Sequence, residues 1–201
     1  MTFSVESRAL DAAFELYVSE GIAGVSMRRL ATQIGVTAPA LYKHFDDKEA
    51  LIEAIAERGF GLFDGLVGEL PRARSTIQGI TALLRCYRDF AIDEPHLFDI
   101  MFVEPRARLR VYPEDFASGR SMSFNMLHAA VTRGIGEGAF RKDDPLEVTV
   151  DLWAHAHGLI GLYRAGRFGT DVTRFQRLFD RSTKRFIRGM SNDARETHAH
   201  R

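Results

Sequence analysis

Apolar residues recur at intervals of three and four along almost the whole chain and nowhere alternate convincingly over the length of a strand. That spacing is one face of an α-helix, so the predicted class is all-α. Leu10, Ala13, Phe14, Tyr17 and Val18 set the pattern for a helix over residues 5–20, with Gly21 as its stop. Ser26 is placed to cap a short second helix carrying Met27, Leu30, Ala31 and Ile34, which closes at Gly35. Thr37 opens a third over residues 38–45, where Pro39 falls in the first turn and costs little. Asp46 followed by Glu49 reads as a capping box for a fourth helix, which carries Leu51, Ile52, Ile55, Phe60 and Phe63.

Gly59, Gly61, Gly65, Gly68 and Pro71 then cluster, and because each weakens a helix the cluster is read as a domain boundary. Two domains and a tail are expected: residues 1–58, residues 72–190, and a disordered 191–201. Ile77, Ile80, Leu84 and Tyr87 form one stripe of helix 5 while Leu83, Cys86 and Phe90 form another, which suits a central helix. A short helix over residues 96–103 precedes a loop with Arg106, Arg108 and Arg110. Helix 7 is expected over residues 114–133, helix 8 from Pro145 and a last helix after Asp171. The 45% hydrophobic content, with 15 Phe, is enough for a sizeable core.

The 27 Lys and Arg cancel the 27 Asp and Glu, so a nucleic-acid partner has to be met by a local patch rather than by a global field. A single cysteine, Cys86, leaves no internal disulfide, and the expected compartment is the reducing cytoplasm. The longest uncharged stretches, such as residues 152–163, fall short of the ~20 apolar residues a bilayer span needs, so no membrane partner is expected.

Residues 26–45 spell a helix, a turn at Gly35-Val36-Thr37 and a second helix, the arrangement that lays a recognition helix in a DNA major groove. Within residues 24–45 Arg28, Arg29 and Lys43 face no acidic residue. Over residues 1–58, however, six basic residues meet nine acidic ones, so non-specific DNA affinity is expected to be modest. The run from Met27 through Phe45, with Lys48-Glu49-Ala50-Leu51 after it, resembles the TetR family of transcriptional regulators. The resemblance implies an N-terminal three-helix DNA-binding domain on a helical, dimerising, ligand-responsive domain. Such a protein binds a pseudo-palindromic double-stranded operator as a homodimer, and is usually a repressor released by a small molecule. It also implies that Tyr42, His44 and Lys48 touch backbone phosphate. Thr37, Ala38, Ala40 and Lys43 lie on the exposed part of the recognition helix, where only Lys43 is long enough to bond guanine O6 or N7. Ser26, Arg28 and Pro39 complete the expected DNA-binding set, and Leu30, Ile34, Leu41 and Phe45 read as core.

Further on, Trp153-Ala154-His155-Ala156-His157-Gly158-Leu159 resembles the Trp-x-x-x-His-Gly signature of the WHG subfamily of TetR C-terminal domains. His155 and His157 diverge by about 200° on a helix and cannot chelate one metal, so neither a metal nor a cofactor is expected. Trp153 and His157, four apart, share a stripe on which the imidazole either bonds a buried polar partner or lines an effector pocket. Phe90, Phe98, Met101, Phe102 and Met126 are the candidate pocket walls, with His128 or His157 as the polar handle, which suits a hydrophobic small molecule. Plain core is the competing reading of each of these walls. The resemblance further implies a dimer interface on helices 8 and 9, and their apolar surplus nominates Leu152, Leu159, Tyr163, Phe175, Leu178 and Phe179. Two alternatives are a helical DNA-binding protein without an effector and a histidine-assisted hydrolase using His96, His128, His155 or His157. The second lacks a nucleophile elbow, a Gly-rich phosphate loop and an H-E-x-x-H spacing, so no enzyme is expected.

Overall fold

The computed structural model describes residues 4–105, 112–114 and 121–192 of the 201-residue chain. Among these, α1 spans Val5–Glu20, α2 Met27–Ile34, α3 Ala38–Leu41, α4 Lys48–Gly68 and α5 Thr76–Asp93. They are followed by α6 (Pro95–Phe102), α7 (Met122–Gly136), α8 (Pro145–Arg164) and α9 (Val172–Met190). The described residues contain no strand, only an isolated bridge between Phe140 and Ser191. None of their helices is long and apolar enough to cross a membrane.

The helix ends follow the sequence with local shifts. Ser4, Ser26, Ser121, Asp144 and Asp171 each cap a helix by accepting from a backbone N–H in its first turn. The cap of α4 is Asp47 rather than the expected Asp46: its Oδ1 accepts from the Ala50 N–H at 2.7 Å, which moves the helix start on by one residue. Helix 6 begins at Pro95, one residue early, because proline's fixed φ suits a first helical position. A helix starts at Met122, where the Ser121 hydroxyl accepts from the Phe124 N–H; of the segment expected to open helix 7, Glu114 is helical and residues 115–120 lie outside the described residues. Arg106, Arg108 and Arg110 lie outside the described residues.

The glycines of α4 do not interrupt it, and the helix runs unbroken to Gly68. Gly59 has a packing reason, since a Cβ there would sit 2.8 Å from the Met101 sulfur of α6. The chain divides into two compact units. The first runs through Gly65 and resumes at Phe90, so α6 joins it; the second takes Leu66–Asp89 and the helices from α7 onward.

In the first unit Ala9, Ala13 and Tyr17 of α1 are buried with Leu30, Leu41, Leu51, Ile55 and, from α6, Leu97 and Ile100. Arg8 donates to the Ile34 carbonyl, and Arg58 pairs with Asp11 while lying over the Phe14 ring, which fastens α2 and α4 to α1.

The second unit buries Ile80 and Leu84, Leu127 and Val131, Leu152, Ala156 and Ile160, and Phe175, Phe179 and Ile187. Within that core lies a cation: the Arg88 guanidinium, 5% exposed, bonds Asp89 and Asp180 and covers the Phe179 ring, while Arg85 grips Asp180 from outside. Two carboxylates and a ring offset the cost of burying that charge. Gln176 of α9 also donates to Asp89, so α5 and α9 are tied by one polar network. The first residues of the expected disordered tail are anchored instead. Asn192 donates to the Gly138 and Phe140 carbonyls and Ser191 pairs with Phe140, because Phe140 is itself packed against Gly134. The outer face of α9 has a single character: Arg174, Arg177, Arg181, Lys184, Arg185 and Arg188 occupy every exposed position between residues 174 and 188.

Candidate nucleic-acid interface

The Ser26 hydroxyl accepts from the Arg29 N–H at 3.2 Å and so starts α2 in a fixed frame. At its other end Gly35 takes φ +71°, and the Val36 N–H returns to the Ala31 carbonyl at 2.9 Å. This left-handed turn reverses the chain in two residues, and a side chain with a Cβ would strain it. Thr37 is extended but its hydroxyl makes no cap. The third helix is shorter than expected, Ala38–Leu41 rather than 38–45. Its end tightens because the Leu41 carbonyl accepts from both His44 and Phe45, leaving residues 42–44 as turns.

This frame sorts the side chains into two sets. Met27, Leu30, Ala31, Ile34, Leu41 and Phe45 are buried, which holds α2 and α3 against α1. Ser26, Arg28, Thr37, Pro39, Tyr42, Lys43, His44 and Lys48 are exposed, with Ala38 and Ala40 half-buried. Half of the Tyr42 surface is open to solvent, unusual for an aromatic in a small helical unit, and its ring is free to lie against a sugar-phosphate backbone. One cation of the expected patch is already engaged. Arg29 forms a two-pronged ion pair with Glu20 at 2.6 and 2.7 Å, and that bond holds the Glu20 carboxyl below its ordinary range. Sequence spacing missed this because the partner is nine residues upstream, across the turn at Gly21–Ala23. Arg28 and Lys43 remain as the outward charges of the motif. The Lys48 ammonium donates to the Ile22 carbonyl at 3.3 Å, at the first residue of α4.

The nominated pocket walls fall in both units. In the first, Phe90, Phe98 and Met101 are buried and Phe102 half-buried, and they form an aromatic cluster with Phe60 and Phe63 at centroid distances of 5.0 to 6.1 Å. That is the packing of a core. In the second, Met126 is exposed, and His128 faces the Thr149 hydroxyl at 3.3 Å. Trp153 and His157 share one buried partner. The Trp153 indole N–H donates to the Tyr87 hydroxyl at 3.1 Å, and that hydroxyl lies 2.8 Å from His157 Nδ1. An indole only donates, so the Tyr87 oxygen accepts from Trp153 while its hydroxyl also shares a hydrogen bond with His157 Nδ1. Burial pushes the Tyr87 hydroxyl up and the His157 imidazole down, Arg164 adding to the second shift.

Burial also lowers His155, which stacks on Phe186 at 4.5 Å and meets Ser182 at 3.3 Å. The four histidines of the hydrolase reading thus sit at separate places, His96 against Tyr17 in the first unit. Cys86 is half-buried, its thiol raised by burial and by Asp89, which disfavours the reactive thiolate.

The two depressed imidazoles set a pH dependence. Because the folded chain keeps them neutral where an unfolded histidine already protonates, the unfolded state binds more protons as pH falls below about 6.5. Their contribution is complete above that value and shrinks beneath it. The midpoint of thermal unfolding is expected to drop between pH 7.5 and 5.5, and His157→Gln should flatten the slope. An unaltered slope in that variant would assign the acid sensitivity elsewhere.

The interface set divides. Leu152, Phe175 and Phe179 are at most 1% exposed within a single chain, so they are core of the second unit and not a surface for a partner. Leu159, Tyr163 and Leu178 keep partial exposure. In the second half of α8 the outward positions that sequence counting passed over are mostly small, Ala154, Gly158 and Gly161 beside Leu162, with Ala165 at its cap.

Two family models match this chain. The model described as bacterial regulatory proteins, tetR family, covers residues 9–55, and one described as tetracyclin repressor-like, C-terminal domain, covers residues 80–186. Among curated relatives, the HTH-type transcriptional regulator YobS of Bacillus subtilis is 32% identical over 91 residues, 45% of this chain and 47% of the relative. The HTH-type transcriptional repressor KstR2 of Mycolicibacterium smegmatis is 26% identical over 140 residues, 67% of this chain and 66% of the relative. The matches therefore span from about half to about two thirds of these relatives. Among solved structures, a protein of unknown function from Rhodococcus sp. RHA1 superposes with a TM-score of 0.76 at 25% identity, covering 95% of this chain and 97% of that one.

Proposed function

Since the chain belongs to the TetR family of bacterial regulatory proteins, we propose that it is a repressor of transcription that binds a pseudo-palindromic double-stranded operator as a homodimer in the cytoplasm and leaves it when a small-molecule effector binds. The observation that carries this reading is the capped helix, left-handed glycine turn and one-turn helix that present Tyr42, Lys43 and His44 over buried Leu41 and Phe45. Residues 1–58 serve DNA and residues 72–190 the effector and the partner protomer. Tyr42, His44 and Lys48 hold phosphates with Ser26 and Arg28 beside them, and Lys43 reads a base from a surface otherwise made of Thr37, Ala38, Pro39 and Ala40. Helix α6, packed on α1 within the first unit through Tyr17 and His96, is the element whose displacement would disturb the DNA-binding helices. The test is to sequence the genomic fragments the protein retains. An enriched inverted repeat, with half-site centres one duplex turn or a multiple apart, supports the reading, and retention without any repeat defeats it.

The homodimer is built on the small-residue face of α8, with Leu159, Leu162, Tyr163 and Leu178 around it. A two-fold axis along the outer face of α9 would set its cations against their own copies. A Cβ at Gly158 or Gly161 meets nothing within 4 Å among the described residues and Gly158 is exposed, so Gly158→Arg is expected to leave the protomer folded. It is expected to turn the dimer into monomer in sedimentation; a persisting dimer would move the interface off this face.

A further inference from the structure

In the second unit a cleft of about 540 Å³ lies between the start of α5, with the segment leading into it, and the later part of α7. We propose that it binds a small organic anion with an apolar body, a carboxylate on an aliphatic or aromatic frame. The cleft exists because the facing helices carry small side chains there: Gly79 and Ala82, one turn apart on α5, and Ala130 on α7. Leu70, Leu83 and Met126 give it an apolar floor, and Leu83 and Ala130 are themselves buried. Its volume is within the range of small-molecule sites, which are mostly apolar with a few placed polar groups.

The charges around it are one-sided. Arg72 and Arg74 from the lead-in segment and Arg133 from α7 line the cleft against a single carboxylate, Glu137. Glu137 accepts from the Thr76 hydroxyl at 3.1 Å, and among the described residues none of the three arginines makes an ion pair. Three arginines line one concavity with a single carboxylate among them, and the planar fork of a guanidinium suits two oxygens on one carbon. A neutral chain is under no compositional pressure to place them together. Of the walls nominated from sequence only Met126 belongs here, so the chemistry changes from a largely hydrophobic ligand held by a histidine to an amphipathic anion. Its identification with the effector site rests on the regulator reading above, whereas the binding does not.

Calorimetry on the full chain without DNA tests the binding, using decanoate and 2-naphthoate, with 2-naphthamide and inorganic phosphate as controls. A carboxylate is expected to bind at least tenfold tighter than the amide, and phosphate alone only weakly. Arg74→Met and Arg133→Met, both exposed and tolerable to the fold, should each weaken the carboxylate about tenfold, and Ala130→Trp should abolish binding by filling the cleft. Equal affinity for acid and amide, tighter binding of phosphate than of either carboxylate, or indifference to all three substitutions overturns the proposal. Measuring operator affinity with and without bound carboxylate then separates the two readings. Binding that leaves DNA affinity unchanged keeps the anion site and removes its effector role.

Discussion

Phe179→Asp is expected to unfold the second unit rather than separate two protomers. Phe179 has no exposed surface, meets Phe175 edge to face at 6.0 Å and lies under the Arg88 guanidinium. Truncating a buried phenylalanine costs about 3–5 kcal/mol, and an unpaired carboxylate in the cavity adds a desolvation penalty of several more. Arg88 does not rescue it, being already shared between Asp89 and Asp180. The sum approaches the total stability of a domain, roughly 5–15 kcal/mol. The single Trp153, bonded to Tyr87 in the same unit, reports the loss as a fluorescence change. Arg181→Ala, two residues away and exposed, should shift the urea midpoint only slightly. A folded, monomeric Phe179→Asp protein would show that this ring faces a partner after all.

The second large effect is on DNA. Lys48→Ala removes one phosphate-held cation per protomer and two per dimer, so the slope of log affinity against log salt should fall by about 1.8 and affinity by about one to two orders of magnitude at moderate salt, on the order of 0.9 per phosphate contact. If Lys43 bonds a guanine, Lys43→Ala relaxes one base pair per half-site by about 1–3 kcal/mol. Arg29→Ala is the contrast. Its guanidinium is spent on Glu20, so it should change operator affinity less than about threefold while removing only a solvent-screened surface ion pair. A salt slope unchanged in Lys48→Ala would take that lysine off the phosphates.

These contrasts mark where sequence reading works. The periodicity of α1 and the cap–glycine pair around α2 act within one or two turns of chain, and there the expected bounds match the helices. The fate of Arg29, the grouping of α6 with the first unit and the burial of Phe179 depend on elements far apart in sequence, which helical spacing cannot register. For the candidate site, the exposed set was legible because Leu41 and Phe45 have to be inside, which turns Tyr42, Lys43 and His44 outward. The cleft between α5 and α7 was not. Its small residues look like unremarkable helix formers until two helices place them opposite each other.

The row of cations on α9 makes a neutral protein behave as a polarised one. Fourteen residues of helix separate Arg174 from Arg188, about 21 Å at 1.5 Å per residue, while a Debye length at 0.1 M salt is ~10 Å. A sulfonate resin approaching that side therefore meets six positive charges and is screened from the compensating acids elsewhere in the chain. The protein should be retained by a cation exchanger at a pH where its net charge is zero, and leave it in a salt step set by one helix rather than by its isoelectric point.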